Sequence, residues 1–180
     1  MDKLALDFLT DYGLFHFPVD VFYIATEILH VDLIKYSSLS QSKRSQILSK
    51  PSLEKGFTIT EHYTNGSTGH KIYYNDSSNI YRQRFTIAHE IKHILCGEEE
   101  YTADSEILAD YFSKALQAPK CVMILNNINS IEKCVTHFSL SYEASTYWIQ
   151  ALRNRIRCVG SDLFDYESDY IQHFIKYNTQ

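Results

Sequence analysis

The spacing of apolar residues changes several times along the first part of the chain. Apolar side chains recur at helical spacing over residues 18–30, and Pro18 suits a first turn, so this segment is predicted to be a helix. Residues 31–36 then alternate between apolar and polar side chains, as a β-strand does. The polar segment 37–55 predicts a loop that contains a short helix.

Two further strand patterns follow, over residues 56–63 and 70–75. Asn65 and Gly66 lie between them, and this dipeptide is a strong turn signal. The two segments are therefore predicted to form a β-hairpin.

Beyond residue 80 the apolar side chains surround most of the helical circumference, which predicts a core helix with a narrow polar face. Gly97 suits the C-terminal cap of this helix. The polar face carries Arg82, Thr86, His89 and His93.

More helices are predicted in the second half of the chain, over residues 102–117, 129–138 and 141–157, with a helical tail from residue 161. Pro119 ends the first of them. These elements predict an α+β fold: a small antiparallel sheet packed on the histidine-bearing helix, with a mainly helical remainder.

Composition and charge exclude several classes of protein. The 180 residues suffice for one domain, or for one with a small appendage, and a hydrophobic content of 44% argues against disorder. A formal net charge of −5 disfavours non-specific binding to nucleic acid or to an anionic membrane. The chain also has no apolar run near the ~20 residues that a membrane-spanning helix needs.

The cysteines and the first residues predict a cytoplasmic protein. Residues 1–7 lack the basic region, apolar stretch and cleavage site of a secretory signal. The cysteines form no Cys-x-x-Cys pair and are predicted to be buried or free thiols in a reducing compartment. Cys96 falls on the face of the two histidines, where we expect a packing residue rather than a ligand.

Residues 89–93, His-Glu-Ile-Lys-His, are the strongest chemical signal in the chain. Positions i and i+4 of a helix lie on one face, so both imidazoles can bind one Zn²⁺ with bonds of ~2.0–2.1 Å. Glu90 can then take a proton from a zinc-bound water while staying off the metal. This pentad predicts a zinc-dependent peptidase. The alternatives are a chance pattern, or buried histidines whose partners are backbone carbonyls.

A catalytic zinc site needs a third protein ligand and one position open to water. The acidic candidates after the pentad are Glu98, Glu99, Glu100, Asp104, Glu106 and Asp110. Residues 98–100 are predicted to be a solvated loop.

Glu106 is the predicted third ligand, because Asp110 follows it by one helical turn on the same face. Asp110 would accept a hydrogen bond from the free N–H of a ligating histidine. The small residues Ala109 and Ser113 let this helix approach the pentad, and Leu108 is expected toward the core. The alternative is an ordinary acidic helix surface.

Two motifs resemble those of the ImmA/IrrE-type zinc metallopeptidases. Residues 82–95, RQRFTIAHEIKHIL, are similar to the signature helix of that family. Residues 106–112 and 116–119 resemble its second motif, which has a Glu, then Ala followed by Asn or Asp, then Phe, and a final Pro. The resemblance covers residues 18–150 and implies a zincin-like fold.

The resemblance also implies roles for particular residues. It places zinc on His89, His93 and Glu106, with Glu90 as the base. Lys92 stands where the family usually has Gly, which changes the packing or places a charge near the site. Leu108 replaces a usual Glu, and we expect no consequence because Glu106 fills the ligand position.

Family members of this size are often encoded on mobile genetic elements, where they resemble anti-repressors that cleave a helix-turn-helix repressor and release gene expression. We therefore expect a cytoplasmic zinc endopeptidase, with a metallopeptidase domain over residues 1–125 and a helical extension, residues 126–180, packed on it. The alternative is a zinc-containing regulatory or binding protein that acts on a repressor without cleaving it.

Direct binding to DNA is a further interpretation. Residues 138–144 join two helical segments, and three arginines follow in the second of them. The acidic net charge argues against it, and basic residues are favoured at the C-terminus of any helix. We expect no direct nucleic-acid binding.

Overall fold

A computed structural model of the protein describes residues 1–98 and 102–179. The helices are α1 (Asp2–Asp11), α2 (Val21–Tyr23), α3 (Gln41–Leu48), α4 (Ile80–Leu95), α5 (Ala103–Gln117), α6 (Lys120–Leu125), α7 (Ile131–Phe138), α8 (Tyr142–Val159) and α9 (Asp165–Asn178). The strands are β1 (Asp32–Lys35), β2 (Gly56–His62) and β3 (Thr68–Tyr74). Contacts divide the described residues into two compact units, one formed by Asp20–Ser113 and the other by Met1–Val19 with the chain from Lys114 onward.

The three strands form one sheet in the order β1-β3-β2. The predicted hairpin is confirmed: β2 and β3 pair antiparallel, and Asn65 Oδ1 accepts from the Ser67 backbone N–H at 3.0 Å in the turn. β1 pairs parallel with β3, so the sheet is mixed rather than antiparallel throughout. The predicted class, a mainly helical α+β fold with a small sheet, is confirmed.

Helix α4 is the core element of the first unit and packs against β2 and β3. Ile87, Ala88 and Ile91 are fully buried on it, as its apolar pattern predicted. Gly56 permits a close approach at the sheet, because a Cβ there would meet the Tyr73 carbonyl oxygen at 2.8 Å.

The helical segment predicted from residue 18 begins later, at α2. Asp20 is its N-cap, and its side chain accepts hydrogen bonds from the backbone N–H groups of Phe22 and Tyr23. The chain then continues as a π-helical segment over Ile24–Ile28. A side-chain cap thus sets the start of the helix, rather than the proline.

The second unit consists of helices, of which α1 and α6 were not predicted. Within it α7 packs on α8, and α1 and α6 pack on α9. Trp148 Nε1 donates to the Ala118 carbonyl oxygen at 2.7 Å. A buried ion pair joins Arg155 to Glu167 at 2.6 Å. The boundary predicted between residues 125 and 126 stays a prediction. No helix in the described part of the chain combines the length and apolar character needed to cross a membrane.

Candidate metal centre

His89 and His93 lie one turn apart on α4, as the helical spacing predicted. Their Nε2 atoms face each other at 3.2 Å. The side chain of His93 is 1% exposed and that of His89 is 13% exposed. Both imidazoles are therefore largely withdrawn from solvent while their Nε2 atoms converge.

Helix α5 supplies a carboxylate to the same point. Its first turn is held by reciprocal hydrogen bonds between Thr102 and Ser105, which resemble a capping box. Glu106 follows, with Oε2 at 3.3 Å from His89 Nε2 and Oε1 at 3.2 Å from His93 Nε2. The structure thus brings together the three residues predicted as metal ligands.

The other nitrogen of each imidazole contacts a carboxylate. His89 Nδ1 lies 2.9 Å from Asp110 Oδ1, and His93 Nδ1 lies 2.7 Å from Glu98 Oε2. An Nδ1–H that donates to a carboxylate leaves the Nε2 lone pair of a neutral imidazole facing the cluster. Among the described residues, carboxylates therefore serve as partners of the two Nδ1 atoms, where the alternative interpretation expected backbone carbonyls.

The cluster of His89, His93 and Glu106 is stable only with a positive charge among its acceptor atoms. Two imidazole nitrogens and a carboxylate that converge as acceptors repel one another unless a proton or a metal ion lies among them. Ligands on a tetrahedral ion with bonds of ~2.0–2.1 Å are about 3.3–3.4 Å apart. The separations of 3.2 and 3.3 Å among His89, His93 and Glu106 match that spacing. The donor set and its dimensions therefore fit a metal ion.

The two imidazoles differ in their electrostatics. Burial lowers the pKa of His93 and favours the neutral form that a ligand needs. Burial also disfavours the charged form of His89, but the hydrogen bond to Asp110 and the nearby carboxylates outweigh it and raise the pKa of His89. In the metal-free protein His89 is therefore the imidazole that gains a proton more readily.

Glu90 lies beside the cluster without being part of it. It is 5% exposed, and Thr58 Oγ1 on β2 donates to its Oε2 at 2.8 Å. Burial raises the pKa of Glu90 to about 7, against the opposing effects of His89 and Thr58. A carboxyl group with a pKa near neutrality is suited to both accepting and returning a proton.

This pKa gives a testable pH dependence of stability in the metal-free protein. Because the pKa of Glu90 is raised on folding, the folded state binds the proton more tightly than the unfolded state does. The free energy of unfolding therefore falls as the pH rises from the ordinary pKa of 4.5 to about 7. Glu90→Gln has no such proton to lose. As the pH rises from about 4 to about 8, we expect its free energy of unfolding to rise by roughly 3 kcal/mol relative to that of the wild type. Urea unfolding with a chelator measures this, and equal pH dependence in both proteins would contradict the assignment.

The cluster opens onto a cleft of about 460 Å³. Its walls combine the polar site residues with apolar side chains, among them Phe57, Phe85 and Ile107. The side chain of Glu106 is 49% exposed, so the cluster can be reached from solvent. A polypeptide segment can approach the candidate metal position from this side.

Several residues considered from the sequence lie elsewhere. Asp104 and Cys96 are exposed and outside the cluster. Leu108, expected toward the core, is 43% exposed. The prediction of a solvated loop is wrong for Glu98, because that side chain turns back onto α4 and contacts His93. Glu99 and Glu100, the two other acidic candidates of that segment, lie outside the described residues.

The sequence did not identify a donor that stabilises an oxyanion. Several arginine and histidine side chains could in principle donate a hydrogen bond to an oxyanion. Of these, Arg82, Arg84 and His70 do not line the cleft, and His137 belongs to the other unit. Among the lysines and arginines of the described residues, Lys55 lines it. Nothing in the sequence around residue 55 marks it as functional, because it lies in a polar loop before β2.

Comparison with known protein families identifies the family of the chain's central region. Residues 49–149, more than half of the chain, match the model of the family Peptidase_M78, described as the IrrE N-terminal-like domain. The matched range includes α4, α5 and the whole cluster. No curated protein and no solved structure matches the chain.

Proposed function

The chain belongs to the Peptidase_M78 family, as its resemblance to the ImmA/IrrE-type metallopeptidases predicted, and on this basis we propose that it is a zinc-dependent endopeptidase that cleaves a regulatory protein. Membership supports a metallopeptidase of the IrrE/ImmA type and implies a metal. The observation that carries the finer proposal is the convergence of His89, His93 and Glu106 beside the buried carboxyl of Glu90.

Zinc is the metal that the donor set favours. Two imidazole nitrogens and one carboxylate are the protein ligands of one common class of catalytic zinc site, which keeps a further position for water or substrate. The metal would be bound by His89 and His93 through Nε2 and by Glu106 through its carboxylate. Asp110 would orient His89 through the 2.9 Å contact with Nδ1.

Glu90 is the proposed general base. Bound zinc supplies Lewis acidity, which acidifies a water and polarises a carbonyl oxygen. The Glu90 carboxylate accepts the proton of the attacking water and later delivers it to the amine of the departing segment. Thr58 holds one carboxylate oxygen at 2.8 Å and so fixes the orientation of the base.

The proposed substrate is a helix-turn-helix repressor, and cleavage would release the genes that it represses. This part of the proposal is supported by the resemblance of residues 82–95 and 106–119 to anti-repressor peptidases of mobile genetic elements. A cytoplasmic location belongs to the same proposal, and the free thiols of Cys96 and Cys158 on the surface agree with a reducing compartment.

Metal analysis and co-expression test this function together. The purified protein should contain about one zinc per chain, because the cluster offers one set of ligands. Co-expression with a helix-turn-helix repressor encoded beside it should yield repressor fragments. An intact repressor that is nevertheless inactivated would favour the alternative, a zinc-containing regulatory protein that does not cleave. A protein that binds no zinc would overturn the metal assignment.

A further inference from the structure

The end of α4 folds back onto its own last turn. Gly97 has a φ of +61°, in the left-handed region, and its N–H donates to the Ile94 carbonyl oxygen at 3.1 Å. The backbone N–H of Glu98 donates to the His93 carbonyl oxygen at 2.9 Å. This pair of hydrogen bonds is a Schellman motif. It reverses the chain so that Glu98 lies against His93, five positions earlier in the sequence.

The side chain of Glu98 then joins two residues of α4. Its Oε2 lies 2.7 Å from His93 Nδ1, and its Oε1 lies 2.5 Å from Lys92 Nζ. Lys92 also donates to the Ser105 carbonyl oxygen of α5 at 3.4 Å. One carboxylate therefore connects a proposed metal ligand to an ammonium group.

Lys92 is an unusual residue for this position. Its side chain is 1% exposed, although a buried ammonium group is strongly unfavourable unless it is paired. If Lys92 were on the surface, water could solvate its ammonium group whenever Glu98 moved away. Because Lys92 is buried, movement of Glu98 would leave that charge buried without its carboxylate partner. The pairing therefore holds Glu98 in one orientation, which is the orientation that contacts His93.

We propose that Glu98 and Lys92 are positioning residues for the metal ligand His93. Glu98 accepts the Nδ1–H of His93 and so keeps Nε2 directed at the metal, and Lys92 fixes Glu98 in that position. The inference rests on the proposed function, since it requires His93 to bind metal. It gives the lysine inside the pentad a role in the site, in place of the glycine usual in the family.

Zinc affinity of the full chain, measured by competition with a chromogenic chelator, tests the role of Glu98. Loss of a carboxylate partner of a ligating histidine weakens metal binding about 10–100-fold, which we expect for Glu98→Ala. Glu98→Gln keeps an oxygen that can accept from His93, so it should recover part of the loss. Wild-type affinity in Glu98→Ala would overturn the proposal.

A double-mutant cycle separates positioning from a purely structural salt bridge. Glu98→Ala leaves Lys92 buried without its carboxylate, and adding Lys92→Met removes that charge and should restore stability. If Glu98 positions His93, zinc affinity in the double variant stays within about twofold of Glu98→Ala. If the pair only stabilises the fold, zinc affinity recovers together with stability, and the proposal is wrong. Lys92→Met alone should weaken zinc binding about tenfold.

The buried pair of Arg155 and Glu167 provides a matched control, because it belongs to the other unit. Glu167→Ala should lower stability and leave the zinc affinity of the folded protein unchanged. A parallel loss of zinc affinity there would show that the assay reports stability, and would remove the support for positioning. A wild-type protein that binds no zinc would instead contradict the proposed function itself.

Discussion

Glu90→Gln is expected to keep zinc at wild-type stoichiometry and to lower kcat for cleavage of the proposed repressor substrate by about 10²–10⁴-fold. Glutamine has the same shape as glutamate, and its amide oxygen can accept the hydrogen bond that Thr58 donates at 2.8 Å. It cannot accept the proton of the attacking water. Since Glu90 does not belong to the metal cluster, the metal should remain bound. Zinc content and single-turnover cleavage of the repressor measure the two effects separately.

The matched control for Glu90→Gln is Glu61→Gln. Glu61 lies on β2 in the same unit, pairs with Lys71 at 2.7 Å on the hairpin, and is not among the residues that line the cleft. Its substitution should leave kcat and zinc content unchanged. A Glu90→Gln protein that cleaves at the wild-type rate would refute the assignment of the base, even if zinc were present.

The residues of the cluster could be predicted because helical periodicity is local. His89 and His93, and likewise Glu106 and Asp110, are related by one turn of their own helices, so the sequence alone places each pair on one face. The hairpin was predictable for a similar reason, because Asn65 and its neighbour fix the turn chemistry. In each case the relevant geometry spans fewer than about six residues.

Other features of the fold and the site depend on contacts, most of them between residues that are distant in the sequence, that no short sequence pattern predicts. Thr58 reaches Glu90 only because β2 packs on α4, and the parallel pairing of β1 with β3 joins segments that are far apart in the sequence. The role of Glu98 depends on the left-handed backbone of Gly97. The sequence correctly predicted a cap at that glycine. It did not show that the cap would return the next side chain to His93.

Lys92 illustrates how a departure from a motif can be accommodated. A lysine buried in the last turn of a core helix is unfavourable by itself, and its burial is made possible by the carboxylate that the Schellman turn supplies. The same carboxylate contacts His93. Glu98 thus both pairs with the buried charge of Lys92 and orients the imidazole of His93. This explains why a lysine at position 92 is compatible with an intact cluster.

Glu106→Gln is expected to weaken zinc binding by more than about 100-fold, beyond the range expected for a residue that only orients a ligand, and to abolish cleavage with it. The substitution replaces an anionic ligand by a neutral amide and leaves His89 and His93 alone to bind the ion. Chelator competition and inductively coupled plasma analysis of the purified variant measure the loss.

Asp104→Asn is the control for Glu106→Gln, because Asp104 is an exposed carboxylate in the same first turn of α5 and lies outside the cluster. It should bind zinc and cleave as the wild type does. If Glu106→Gln kept wild-type zinc affinity, Glu106 would not be the third ligand. Glu98 would not take its place, because the carboxylate of Glu98 contacts Nδ1 of His93, whereas the two histidines converge through Nε2. Loss of zinc affinity in Glu106→Gln therefore supports Glu106 as the third ligand. Retained affinity would mean that the third ligand is a group outside the cluster.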